Sequence, residues 1–331
     1  MNSILYERDF APNKKERELD LSSRKYTLTD VREVGYKKVD AWWTVLLVDP
    51  IASRLIVPIA NYTRLTPNQI SILAFLLGLG AAYSFYIGSY TALVIGALLY
   101  HFSFILDCID GKIARLKGTG TIFGMWLDYT LDRVRVAICA VALLYGQFVQ
   151  TEEMFYLYLI LLVILLDMMR YMNALHVFKM RQEMKKQINR SKKRLQLLQG
   201  DQYSEDDLEN EEEQPLFKKK IDLQQEFKSK FTWFMKLRDF FINKRIRMHL
   251  FSGIEYQMFI FIIGPIIGFI PETIIVSSII FALFELAIMY KLWLSTKDFK
   301  KEIGILQEEI ATAEAALPPE KLAELEAAHN S

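Results

Sequence analysis

The chain has 331 residues, with 40 Lys+Arg against 39 Asp+Glu and a formal net charge of +1. Its 22 Phe, 16 Tyr, 15 Gly, 9 Pro and two cysteines, Cys108 and Cys139, exclude a disordered chain, a collagen and a disulfide scaffold. A hydrophobic content of 52 % lies just above the soluble average of about 45–50 %, but such an average conceals alternating apolar and charged blocks, so a membrane protein stays in play.

Residues 1–38 form a charged arm. The opening MNSILYERDF lacks an apolar core, so no cleavable signal peptide is expected. Residues 39–63 are led by Trp42 and Trp43 and interrupted by Asp49, Pro50 and Arg54. That pattern predicts an amphipathic helix lying in the membrane interface or packed on the bundle, too broken to span. Six apolar runs then follow, at 69–87, 91–106, 134–149 (on a helix beginning near 121), 154–166, 256–270 and 274–290. Each approaches the roughly 20 residues a transmembrane helix needs. The links at 88–90, 147–153 and 271–273 contain no Lys or Arg, whereas the opposite side is rich in both. Positive charge near span ends marks the cytoplasmic side, so both termini are expected there. A large all-α soluble protein is the competing reading, and it would need a very large polar shell.

Between the fourth and fifth runs, residues 176–250 hold 18 Lys+Arg and 12 Asp+Glu, in blocks. The segment reads as helix, acidic turn at 205–213, and a second basic helix with interleaved aromatics. Such basic and aromatic surfaces beside a membrane suit anionic headgroups; RNA binding is set aside. The expected organisation is therefore an arm (1–38), an interfacial helix with four spans (39–175), a charged cytoplasmic insertion (176–250), two further spans (251–296) and a helical cytoplasmic tail (297–331). The fold class is all-α and polytopic.

The densest chemistry lies between the second and third runs. Asp107 and Asp110 are three residues apart on one helix face, and Asp128 and Asp132 are four apart on the next helix. A turn near residues 117–120 would fold these helices antiparallel and bring four carboxylates together at the cytoplasmic interface. Carboxylates at the end of an apolar helix are costly and need a reason. Hard divalent cations with oxygen ligands supply one, and two such ions suit phosphoryl transfer. Pairing with Lys112, Arg115, Lys117, Arg133 and Arg135 is the simpler alternative.

The pattern D-x2-D-G-x2-A-R-x8-G-x3-D-x3-D, carried by Asp107, Asp110, Gly111, Ala114, Arg115, Gly124, Asp128 and Asp132, resembles the signature of the CDP-alcohol phosphotransferases. These are integral membrane enzymes of phospholipid head-group synthesis. The resemblance covers about residues 40–175 and, more loosely, the last two runs. It implies a CDP-linked donor, an alcohol acceptor, release of CMP, two Mg²⁺ or Mn²⁺ ions and a homodimer in a prokaryotic cell membrane. By that resemblance Asp107, Asp110 and Asp128 are metal ligands, and Asp132 is the general base and a fourth candidate ligand. Gly111, Ala114 and Gly124 leave room for the nucleotide, Arg115 offers a fork to phosphate, and Asn68 faces the cytidine. Thr66 and Pro67 are explained by helix capping alone.

Arg133, Arg135, Arg170 and Glu255 are candidates for the acceptor. Asp167 and Arg170, three residues apart, are an expected pair; Glu285 needs a partner that the sequence does not name. The favoured reaction moves a phosphatidyl group from CDP-diacylglycerol to a small polar alcohol, with a CDP-linked polar alcohol as the alternative donor. An inactive membrane scaffold and a transporter with intramembrane carboxylates are the competing functions. No nucleic-acid partner is expected.

Overall fold

The computed structural model describes residues 25–199, 240–247 and 250–318. The expected acidic turn at 205–213 lies outside them. The described residues are all-α, with one isolated backbone bridge, Asp40 to Ile246. After a capped turn at Leu28–Asp30, extended by Val31–Gly35, the helices are α1 (Thr44–Tyr62), α2 (Pro67–Ile87), α3 (Tyr90–Lys117), α4 (Ile122–Thr151), α5 (Phe155–Gln199), α6 (Gly253–Ile267) and α7 (Ile270–Ala316).

Local sequence explains most boundaries. Thr66 caps α2 through a reciprocal box with Gln69, and Pro67 occupies the first turn, where its missing N–H costs nothing. Gly88 and Gly118 end α2 and α3 in the left-handed region, at φ +74° and +65°. The Gly118 N–H reaches back to the carbonyls of Ala114 and Arg115. Thr121 then caps α4, accepting from the Gly124 N–H at 2.9 Å. This short turn reverses the chain between the two aspartate-bearing helices.

Six helices among the described residues are long and apolar enough to cross a membrane: α1 to α5 and α7. Five of them contain runs read from the sequence, and α1 takes the place of the run at 256–270. Helix α1 qualifies despite its interruptions: Pro50 sits at the start of its α-helical section, and Asp49 is neutralised by Lys112 at 3.0 Å and Arg245 at 3.2 Å. Helix α6 is shorter, and it turns π-helical at Phe259–Ile263 just before Pro265. A proline lacks the N–H and crowds the carbonyl four residues back, and a π turn absorbs that mismatch.

The described residues form two compact units. The first runs to Met172 and resumes over 240–247 and 250–285; the second comprises 173–199 and 286–318. Residues 240–247 thus group with the apolar helices, although the sequence joined them to the charged insertion. In the first unit, α2 packs along α3 and α4, α1 along α3, and the π section of α6 against α3 and α4. The core they share includes Ile56, Phe85, Tyr100, Ile109, Leu143 and Phe261. In the second unit, Ile188 and Leu195 pack with Leu306, flanked by Phe299, Ile303 and Ile310. Arg194 and Glu314 pair alongside at 2.5 Å. Intervals of three, four and seven make this a coiled-coil-like seam.

Candidate active site

Asp107 and Asp110 leave the last turns of α3, and Asp128 the second turn of α4. One carboxylate oxygen from each lies within 4.8 Å of the others. Asp110 is buried and accepts a hydrogen bond from Ser71 of α2 at 2.5 Å. Among the described residues no ion pair reaches Asp110 or Asp128; the guanidinium groups nearby go to Asp107 and Asp132. Carboxylate oxygens at this spacing, two of the three residues without an ion pair, are the donor set that hard divalent cations take, so Asp107, Asp110 and Asp128 fit Mg²⁺ or Mn²⁺.

Asp132 stands apart from this trio. Its two oxygens are held separately: Oδ2 by Arg133, and Oδ1 by Arg135 at 2.5 Å. Arg135 is fully buried and also donates to Ser103 at 3.1 Å and Asp107 at 3.4 Å. A Cβ placed on Gly78 would lie 2.5 Å from Arg135 Cδ, so this glycine makes room for the arginine. Arg133 donates to both oxygens of Asp167, at 2.6 and 2.8 Å, and lies 4.6 Å from the Tyr171 ring centre. Gln257 of α6 donates to Asp167 at 3.1 Å. A continuous chain of polar contacts therefore runs from α6 through α5 and α4 to Asp132.

The expected Asp167–Arg170 pair gives way to two other pairs. Asp167 takes Arg133, and Arg170 takes Glu285 at 2.8 Å, which supplies the partner missing for that span carboxylate. Glu255 is buried and closes a capping box: its Oε2 accepts from the Ser252 hydroxyl at 2.5 Å and N–H at 2.9 Å. Its other oxygen, Oε1, has no hydrogen-bond partner.

The nucleotide candidates converge in part. A Cβ on Gly124 would fall 2.7 Å from Asn68 Oδ1, so the start of α2 meets the start of α4. Arg115 directs its Nε to the Gly35 carbonyl at 2.9 Å. Ala114 is buried, and a Cβ on Gly111 would stand 3.7 Å from Arg115 Nη1. Sequence reading missed Ser71, whose only signal was a hydroxyl in a charge-free run. It also missed Lys37, Arg245 and Arg247, which reach this unit from sequence far from the motif.

The family model for CDP-alcohol phosphatidyltransferase matches residues 64–198, the segment that carries the eight motif positions. The likeness to this family lies in that segment of the chain. It is similar to the bifunctional IPC transferase and DIPP synthase of Aquifex aeolicus, 40 % identical over 70 residues, covering 21 % of this chain and 15 % of that protein. It is also similar to the archaetidylinositol phosphate synthase of Methanothermobacter thermautotrophicus, 35 % identical over 99 residues, or 30 % of this chain and 49 % of that one. The phosphatidylinositol phosphate synthase of Corynebacterium glutamicum is 34 % identical over 89 residues, 27 % of this chain and 37 % of its own. The chain thus spans half the length of these curated relatives or less, and the likeness is to the CDP-alcohol phosphatidyltransferase domain.

Proposed function

We propose that this protein transfers a phosphatidyl-type group from a CDP-linked lipid to the hydroxyl of a phosphorylated polyol and releases CMP. The observation that carries this reading is the convergence of Asp107, Asp110 and Asp128 within 4.8 Å beside a separately held Asp132. The names of two relatives, both synthases of inositol phosphate lipids, support the acceptor class. A cytoplasmic site in a cell membrane, and a homodimer, are part of the proposal.

In this reading Asp107, Asp110 and Asp128 hold two divalent cations, which when bound neutralise the donor diphosphate and make its phosphorus more electrophilic. Asn68 and Gly124 receive the cytidine at the meeting of α2 and α4. The acceptor hydroxyl oxygen forms a bond to the phosphorus distal to cytidine, and the bond from that phosphorus to the CMP oxygen breaks. Asp132 takes the hydroxyl proton. Arg133 and Arg135, each on one oxygen, fix the carboxylate's orientation, so a lone pair points at the acceptor without rearrangement.

The test is CMP release by the purified full chain with Mg²⁺ or Mn²⁺, a CDP-linked lipid and phosphorylated or unphosphorylated polyols. Release that depends on the metal and on an acceptor is expected. Asp132→Asn should lower kcat by about 10²- to 10⁴-fold, the usual weight of a general base. Full activity in that variant, or no release with any donor and acceptor, would falsify the mechanism. Release only with a CDP-linked polar alcohol would reverse the donor assignment.

A further inference from the structure

All three arginines that the sequence offers to an acceptor phosphate are committed to carboxylates: Arg133 to Asp132 and Asp167, Arg135 to Asp132 and Asp107, Arg170 to Glu285. A different set of cations gathers around Lys112 and Arg115, further along α3. The Asp40 N–H donates to the Arg245 carbonyl at 2.8 Å, and the Arg247 N–H donates to the Asp40 carbonyl at 2.8 Å. This bridge sets residues 36–40 against 245–247. Arg115 fastens the first of these segments to α3 through Gly35, and Arg245 donates to the Lys37 carbonyl at 3.2 Å.

Five cations meet here, Lys37, Lys112, Arg115, Arg245 and Arg247, around two carboxylates, Asp40 and Asp49. Asp49 is shared by Lys112 and Arg245, and Asp40 holds Arg247 at 2.8 Å. Lys37 takes part in none of these pairs. It is half-buried beside them, felt by Asp40, Arg115 and Arg247, and it also interacts electrostatically with Asp128 of the carboxylate trio. Burial, partly offset by Asp40 and reinforced by Arg115 and Arg247, lowers its pKa to about 8. A half-buried ammonium with one carboxylate and several guanidinium groups around it leaves net positive charge that an anion would balance.

We propose that Lys37, with Arg115 and Arg247, binds a substrate phosphate group beside the metal-ligating carboxylates. Resting on the transfer reaction proposed above, the phosphate belongs to the acceptor or to the donor diphosphate. Two of its three residues, Lys37 and Arg247, lie outside the matched domain. The selectivity it confers therefore comes from segments that frame the domain.

The test uses the full chain in detergent, with equilibrium binding of inorganic phosphate to the wild type and to Lys37→Ala, Lys37→Arg and Arg54→Ala. Loss of a charge-assisted contact should weaken phosphate binding about tenfold or more in Lys37→Ala. Lys37→Arg should keep most of the affinity, and the exposed Arg54→Ala all of it. In CMP-release assays, a raised KM for the phosphorylated acceptor in Lys37→Ala assigns the phosphate to the acceptor. A raised KM for the CDP-linked donor assigns it to the diphosphate. The proposal is overturned if the wild type shows no saturable phosphate binding, or if Lys37→Ala binds it equally well. Because binding is read without turnover, a chain that binds phosphate through Lys37 but releases no CMP refutes the reaction and leaves this site standing.

Discussion

Asp132 owes its position to residues the motif does not contain. Arg133 bridges it to Asp167, and Gln257 completes the coordination of Asp167 from α6. Asp167→Asn leaves the half-buried Arg133 guanidinium without one of its two carboxylates; a fully buried pair costs about 3–5 kcal/mol to break, and this one should cost less. The expected outcome is a lower unfolding temperature and a kcat reduced more than KM is raised, with Asp167→Glu recovering part of both. Steady-state kinetics beside thermal unfolding separate these effects; unchanged kcat in Asp167→Asn would show that Arg133 does not position Asp132. Gly78 acts on the same carboxylate from α2. An added Cβ would meet Arg135 at 2.5 and 2.6 Å, so Gly78→Ala forces a buried side chain aside. Overpacking of this sort costs about 1–3 kcal/mol, and CMP release should fall with it. Lys37 carries a pH signature of its own. Its folded pKa of about 8 lies below the ordinary lysine value of 10.5, so the folded chain binds this proton less well than the unfolded one. The charged lysine therefore costs stability below about pH 8, and the cost fades as pH rises toward the unfolded value. Lys37→Met should stabilise the substrate-free chain at about pH 7 and give little gain at about pH 10, measured by thermal unfolding at both.

At the level of helices, what was legible was local. The cap at Thr66, Pro67 in the first turn, the short stretch at 117–120 and the three- and four-residue spacing of the aspartates act within a turn or two of chain. The turn between α3 and α4 followed from them, and so did the meeting of Asp107, Asp110 and Asp128. What escaped depends on distant partners. Asp49 looked like a break in a span because Lys112 and Arg245, which neutralise it, lie 63 and 196 residues away. The Asp167–Arg170 pair was reasonable by spacing, but Arg133 and Glu285 offered better geometry across helices. Helix contacts make a sharper test of packing. Helices α2 and α4 approach so closely at Gly146 that a Cβ there would lie 2.5 Å from the Phe85 carbonyl and 2.7 Å from that of Tyr86. These are backbone atoms and cannot turn away. Gly304 in α7 has nothing within 4 Å of such a Cβ. Gly146→Ala should destabilise the chain by more than about 2 kcal/mol, whereas Gly304→Ala should stabilise it by about 0.5–1 kcal/mol through helix propensity. Thermal unfolding of the two variants side by side checks both signs.

On the scale of the whole molecule, the sequence drew one boundary through the middle of a working contact. It placed residues 176–250 in a single charged insertion, yet 240–247 belong with the apolar helices. The reason is chemical: Arg245 and Arg247 look like further members of a basic run, but each carries a specific load. Arg245 pairs with Asp49, donates to the Lys37 carbonyl and lies 4.3 Å over the Tyr36 ring. Arg247 pairs with Asp40, whose carboxyl is held below the usual range by Lys37 and Arg247 although burial opposes this. Composition alone cannot distinguish such arginines from headgroup-facing ones. Two deletions can. Replacing residues 200–236 with a short flexible linker removes none of these contacts, and CMP release should persist at close to the full-length rate. Extending the deletion through residue 247 takes away both arginines and the backbone bridge to Asp40, leaving Asp49 with Lys112 alone and Asp40 without its guanidinium. A buried carboxylate that loses its partner is strongly destabilising, so the longer deletion should lower the unfolding temperature sharply and abolish phosphate binding together with CMP release. Equal behaviour of the two deletions would mean that the charged segment acts as one unit and that the bridge at Asp40 holds nothing in place.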